Sequence, residues 1–140
     1  MQKRIPFEVI GSIAILQLPD ERKKEAKILA KGILQENKHI KTILLKTSRV
    51  KGRLRKRQLK LILGNNTKEA MHRENNCLMK LNVETSYFSP RLGNERQEIA
   101  GEISKKKGRK KVLVMFSGIA PYAIVIAKQT PKAEVTAVEL

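Results

Sequence analysis

Apolar and polar positions along the chain switch between a two-residue and a helical period, and the switches mark out short strands and helices. Residues 7–18 are apolar and β-branched with Gly11 inside the run. This predicts a buried strand, bulged at the glycine. Pro19 ends the run, and Asp20 is placed to cap a helix reaching about Gln35, with Ala26, Leu29, Ala30 and Ile33 as its apolar stripe. Lys23, Lys27 and Lys31 recur at four-residue spacing on another face. That row reads first as a solvated helix face and second as an RNA contact. Residues 41–46 predict another strand, and Leu59, Leu61 and Leu63 alternate along a further one. Gly64-Asn65-Asn66 is a turn signal, and short strands follow over 69–73 and 77–83 around Glu74-Asn75-Asn76. The order β-α-β-β-β-β gives a small α/β domain, α+β-like, with a mixed or antiparallel sheet.

Tyr87-Phe88-Ser89-Pro90-Arg91 marks a boundary, because Ser89 and Pro90 suit the cap and first turn of a helix. That helix is predicted to run to about Ile103, with Leu92, Ile99 and Ile103 facing inward. Residues 111–116 predict a buried strand, 117–120 a tight turn, 121–128 a helix, and 134–140 a second strand after Thr130-Pro131. A β-turn-α-β unit of about 30 residues has the size of a parallel crossover. The organisation expected is therefore a basic α/β RNA-binding domain over 1–86, a helix and basic connection over 87–111, and the start of a Rossmann-like domain over 112–140. Two strands of such a sheet cannot bury both faces. Further chain, or a second polypeptide, is expected to complete it.

Charge changes the picture more than composition does. The chain has a formal net charge of +17, which points to a polyanionic partner, nucleic acid above all. Aromatic residues are only 4% of the chain, so phosphate contact is expected over base stacking. The densest positive runs hold Arg49, Lys51, Arg53, Arg55, Lys56 and Arg57, then Lys105, Lys106 and Lys107. No apolar run approaches the roughly 18 residues that span a bilayer. The single Cys77 excludes an internal disulfide and a multi-cysteine metal site. His39 and His72 lack metal-ligand spacing, so no metal is expected, and because a strand-like segment rather than a signal-peptide core follows Met1 to Pro6, a cytoplasmic setting is the default.

The sharpest candidate site is Phe116-Ser117-Gly118-Ile119-Ala120-Pro121-Tyr122 together with Glu139. A glycine after the first strand lets backbone approach a ligand, and the following helix N-terminus favours an anionic group. An acidic residue closing the second strand can accept from both ribose hydroxyls. Glu139 lies 21 residues after Gly118, near the roughly 20 typical of a nucleoside site. On spacing alone an ordinary βαβ turn remains the alternative.

The blocks Tyr87-Phe88-Ser89-Pro90-Arg91-Leu92 with Glu95-Arg96, Val114 to Tyr122, and Ala137-Val138-Glu139-Leu140 resemble the archaeal and eukaryotic tRNA guanine N1-methyltransferases. Ile10 to Ala14 and His72-Arg73-Glu74-Asn75 resemble the same family's middle domain. The resemblance implies a class I methyltransferase fold that binds S-adenosylmethionine and methylates the guanosine 3′ of the anticodon, position 37 of tRNA. It implies that Gly118 and its neighbours approach the methionine end, that Glu139 holds the ribose, and that Arg91 orients or polarises the guanine. Val114 stands where the family often has Asp, and Ala120 replaces its second glycine. The late Asn-Pro-Pro-type motif and the small extra N-terminal domain have no counterpart, so the chain alone is expected to be inactive. Two other readings remain: a wyosine-pathway aminocarboxypropyl transferase, and a non-catalytic tRNA-binding module or half of a split enzyme.

Overall fold

The computed structural model describes residues 6–47 and 58–140. The chain forms two compact units, Met1–His72 with Lys80–Ser86, and Arg73–Met79 with Tyr87–Leu140.

In the first unit, strands β1 (Phe7–Ile10), β2 (Ile13–Leu16), β3 (Thr42–Lys46) and β4 (Leu59–Gly64) form one mixed sheet in the order β1-β2-β3-β4. β1 and β2 are antiparallel, with Phe7 opposite Leu16 and Ile10 opposite Ile13. The single bulged strand read from residues 7–18 is therefore a hairpin. Gly11 makes the turn at φ +57, and a Cβ there would lie 2.4 Å from the Met71 carbonyl oxygen. Its N–H donates to His72 Nδ1 at 3.3 Å, which pins the turn to the following ribbon. β2 and β3 run parallel, so the chain must cross over between them, and α1 (Ala26–Glu36) makes that connection.

The core of this unit is Ala14, Leu16, Leu18, Ala26, Ala30, Ile40, Ile43 and Leu45, with Leu29 and Ile33 packed against it. Full burial of a leucine or isoleucine contributes roughly 1.5–3 kcal/mol, so α1 is held by this stripe more than by its ends. Its entry differs from the sequence reading. Asp20–Glu25 is a 3-10 turn, and α1 starts at Ala26 with no side-chain cap. The Asp20 carboxylate pairs with Lys23 instead of capping. In β4 the leucine alternation breaks, because Ile43 faces Leu63 while Leu44 faces Leu61. Ile62 is the extra residue, and Ile62 and Leu63 both pack on the core.

Strands β5 (Glu69–Glu74) and β6 (Cys77–Asn82) pair as a separate ribbon. Asn75 and Asn76 both have positive φ, 47 and 58, the geometry of a two-residue hairpin turn with the strand twist.

In the second unit a 3-10 turn (Pro90–Leu92) leads into α2 (Gly93–Lys105), then β7 (Lys111–Met115), α3 (Pro121–Gln129) and β8 (Glu134–Val138). β7 and β8 are parallel, with Lys111 beside Glu134 and Met115 beside Val138. This is the β-α-β crossover predicted for residues 111–140. The inner face of α2 is not the predicted one. Arg96 and Ala100 are its buried residues, whereas Ile99 is 38% exposed. On α3 the buried residues are Pro121, Ala123, Val125 and Ile126. Leu113, Met115, Phe116 and Val138 remain more than half exposed, at 60%, 64%, 81% and 51%. Among the described residues, no helix is long and apolar enough to cross a membrane.

Candidate functional site

The link from β7 to α3 is a turn built from alternating left-handed residues. Phe116, Gly118 and Ala120 have φ of 54, 58 and 62. The Ser117 N–H donates to Val138 O at 3.0 Å, extending the β7–β8 ladder by one rung, and the Ala120 N–H donates to Ser117 O at 2.8 Å. Pro121 then occupies the first turn of α3, where its missing N–H leaves nothing unsatisfied. Glycine suits position 118 because of its φ and because a Cβ would come within 3.3 Å of the Tyr87 carbonyl oxygen. At 120 an alanine adopts a conformation that costs a residue with a Cβ about 1–2 kcal/mol.

Glu139 closes the site. Its Oε2 accepts the Gly118 N–H at 2.6 Å, joining the end of β8 to the glycine of the turn. Both residues are exposed, so the carboxylate sits at an open edge with lone pairs left for a further donor. The predicted turn residues and the predicted acid are thus brought together. Val114 lies with Val112 on the half-buried face of β7, opposite the face on which Leu113 and Met115 are exposed.

Beside the turn is a buried cation that the sequence reading did not single out. Arg96 is 1% exposed. Its Nε donates to Glu74 Oε1 at 2.5 Å, and its Nη2 donates to Glu74 Oε2 at 2.7 Å and to Ser89 O at 3.0 Å. The guanidinium carbon is 5.0 Å from the Phe88 ring centroid and 5.6 Å from that of Tyr122, within cation–π range. The Tyr122 hydroxyl donates to Glu95 Oε1 at 2.5 Å. Burial, with the Glu95 carboxylate as acceptor, pushes the phenol up to about 12. Arg96 was legible as a cation four residues after Leu92 and four before Ala100, on the stripe that an α2 interior needs.

Arg91 is exposed in the 3-10 turn before α2 and has no hydrogen bond or ion pair among the described residues. Lys105 pairs with Glu102 at 3.1 Å and remains exposed, as do Lys106 and Lys107. The basic run Arg49, Lys51, Arg53, Arg55, Lys56 and Arg57 lies outside the described residues.

Comparison with known proteins identifies a family. Residues 70–140 match the TRM5/TYW2 methyltransferase domain, and residues 2–67 match the TYW2 N-terminal domain. The chain is 38% identical over 128 residues to tRNA (guanine(37)-N(1))-methyltransferase Trm5b of Pyrococcus abyssi, covering 88% of this chain and 36% of that protein. It is 40% identical over 135 residues to tRNA (guanine(37)-N(1))/4-demethylwyosine(37)-methyltransferase Taw22 of Nanoarchaeum equitans, covering 96% of this chain and 43% of that protein. Among solved structures, aTrm5 in its complex with tRNALeu superposes with a TM-score of 0.82 at 30% identity, covering 97% of this chain and 39% of that one. The chain thus spans less than half the length of these relatives. By matches that together cover both of its units, the chain belongs to the TRM5/TYW2 methyltransferase family.

Proposed function

We propose that this chain carries the RNA-binding unit and the cofactor turn of an S-adenosylmethionine-dependent tRNA methyltransferase acting at N1 of the guanosine 3′ of the anticodon. The observation that carries the reading is the closure of Glu139 onto Gly118. It sets a carboxylate acceptor and a left-handed backbone turn at the open end of two parallel strands, where nucleoside cofactors bind in such sheets. The residues present fit the cofactor. Glu139 is exposed and has acceptor capacity left for ribose hydroxyls. The start of α3 offers a partial positive charge to the methionine carboxylate. Ser117 and Ile119 flank Gly118, and Phe116 offers an exposed ring beside the turn. Bound S-adenosylmethionine supplies an electrophilic methyl group.

The chain's own residues then have separable tasks. Guanine N1 carries a proton that must leave as its lone pair attacks carbon. Arg91, an exposed cation one turn before α2, neutralises charge developing on the guanine O6 as that proton leaves. Glu95, an exposed carboxylate in the first turn of α2, is the acceptor for the proton. Tyr122 holds that carboxylate against the cofactor helix through its hydroxyl. The first unit, including residues 49–57, and Lys105 to Lys107 contact tRNA phosphates. The exposed Leu113, Met115 and Val138 become covered by crossover helices packed on the open face of the completed sheet, in cis or from a second polypeptide. The setting is cytoplasmic.

A second reading, aminocarboxypropyl transfer at the same nucleotide, is favoured by the match of residues 2–67 to the TYW2 N-terminal domain and by Val114. Product mass on tRNA separates the two.

The test uses the chain alone and the chain fused to the C-terminal remainder of the Pyrococcus abyssi relative. Labelled S-adenosylmethionine and unmodified tRNA are the substrates. Methyl transfer is expected from the fusion and not from the 140-residue chain. In the fusion, Arg91→Ala should lower the transfer rate at unchanged cofactor affinity. A fusion that binds cofactor but leaves guanosine unmodified would overturn the reading.

A further inference from the structure

A buried arginine on a helix that otherwise needs only an apolar stripe is costly unless every donor finds an acceptor. For Arg96, Nε and Nη2 find acceptors in Glu74 and Ser89, and its partners come from three segments outside its own helix. Glu74 is the last residue of β5, next to the ribbon's turn. Ser89 and Phe88 immediately precede the turn that carries Arg91. Arg96 itself belongs to α2. Tyr122 is the second residue of α3, directly after the cofactor turn. One guanidinium therefore contacts both the backbone that leads to the proposed guanine-facing arginine and the helix that starts at the proposed methionine end.

We infer that Arg96 is a positioning residue, which fixes the spacing between the Ser89–Arg91 block and the cofactor turn by holding Ser89 O and the Tyr122 ring in one rigid frame. The inference rests on the methyltransferase reading above. The fork is what matters. Nε and Nη2 grip both Glu74 oxygens, and that grip orients the guanidinium so that Nη2 also meets Ser89 O while the Phe88 and Tyr122 rings stay within contact. A lysine could keep the charge facing Glu74, but it is a point charge with neither the fork nor the stacking surface. The neighbouring Glu95 points to the same frame from the other side, since its Oε1 accepts from the Tyr122 hydroxyl. Adjacent residues of α2 thus hold the same tyrosine, one by its ring and one by its hydroxyl. Arg96 need not touch either substrate for this, and at 1% exposure it is sealed from both.

Displacing a reacting group by about 1 Å can lower a rate by roughly 100-fold while leaving each ligand's own contacts intact. The test is Arg96→Lys in the fusion protein, with kcat, cofactor Kd and tRNA Kd measured separately, and near-ultraviolet circular dichroism of Tyr87 and Tyr122 as a packing signature. The expected result is a kcat at least about 10-fold lower, a changed tyrosine band, and both Kd values within about 3-fold of the parent. A folded Arg96→Lys protein with parental kcat overturns the assignment. So does a loss carried wholly by cofactor Kd, which would make Arg96 a support of the cofactor turn alone. Glu74→Gln is the second variant in case the lysine protein does not fold. It keeps the shape of the pair and one acceptor, and it should lower kcat in the same direction by less; parental kcat there also overturns the assignment. Failure of the parent fusion to transfer a methyl group, by contrast, removes the functional reading itself and this inference with it.

Discussion

Glu139→Gln is the substitution that bears most directly on where the nucleoside lies. It preserves the side-chain shape, removes the charge, and replaces one acceptor oxygen by an NH2 donor. One carboxylate oxygen accepts the Gly118 N–H at 2.6 Å, and a glutamine carbonyl can take over that bond. The remaining acceptor capacity is what the ribose hydroxyls need, and the amide cannot supply it. Hydrogen bonds to a charged group are worth about 1.5–3 kcal/mol. At about 1.4 kcal/mol per tenfold, cofactor affinity should fall by roughly one to two orders of magnitude. Fold stability should change little, because Glu139 is exposed and exposed polar changes stay within about 0.5 kcal/mol. Calorimetric titration of S-adenosylmethionine into the fusion protein measures the first quantity, and thermal melting the second. Glu139→Asp is the control. It keeps the charge but is one methylene shorter, so it can serve Gly118 or the ribose but not both, and it should bind with intermediate affinity. Parental affinity in Glu139→Gln would refute the ribose assignment and the placement of the nucleoside at the end of β8.

Three other outcomes follow from particular interactions. Ala120→Gly relieves a left-handed alanine at φ 62, worth about 1–2 kcal/mol, against roughly 0.4–1 kcal/mol of added unfolded-state freedom. The urea midpoint should rise at constant m-value, and a lower midpoint would show that the turn carries no strain. Neutralising Lys105, Lys106 and Lys107 should weaken tRNA binding alike for different sequences. It should also flatten the dependence of log Kd on log salt by about 0.9 for each phosphate no longer neutralised, so an unchanged slope would remove this stretch from the interface. Lys68, bonded to Glu84 at 2.5 Å, holds that carboxyl below the usual carboxylate range despite the opposing effect of burial, and the Leu59 N–H adds to it. A depressed folded value means that the pair's contribution is present above the usual carboxylate range and is lost as pH falls through the folded value. Glu84→Gln should therefore flatten the acid limb of a stability–pH profile, and an acid limb as steep as the parent's would exclude the pair as its source.

What the chain determined locally was set by residues with a single conformational meaning. The crossover over residues 111–140 was legible because β7 carries Lys111, Leu113 and Met115 on one side and Val112 and Val114 on the other, while Pro121 starts a helix and Thr130-Pro131 stops it. The pairing of the glycine turn with Glu139 was legible for the same reason. In a parallel βαβ unit, strand and helix length fix which residue of the second strand ends beside the first turn, and here that residue bonds to Gly118. Residues 7–18 show the opposite case. A buried hairpin and a buried bulged strand share one apolar pattern, and the two-residue turn Gly11-Ser12, with Gly11 at φ 57 and Ile10 opposite Ile13, is what separates them. The extra residue Ile62 in β4 was equally hidden, because a bulge depends on the partner strand and leaves no local mark. The spacing of Arg96 from Leu92 and Ala100 marks an inward position on α2, but only the tertiary structure decided that a cation is buried there. A charged residue on a helix reads as solvated until an acceptor from another segment is brought to it, and Glu74 is 22 residues away in the chain. Each segment's own few residues determine what it prefers locally. Which cation is buried, and which two blocks it ties together, is settled only when distant segments meet and desolvation makes every unpaired donor costly.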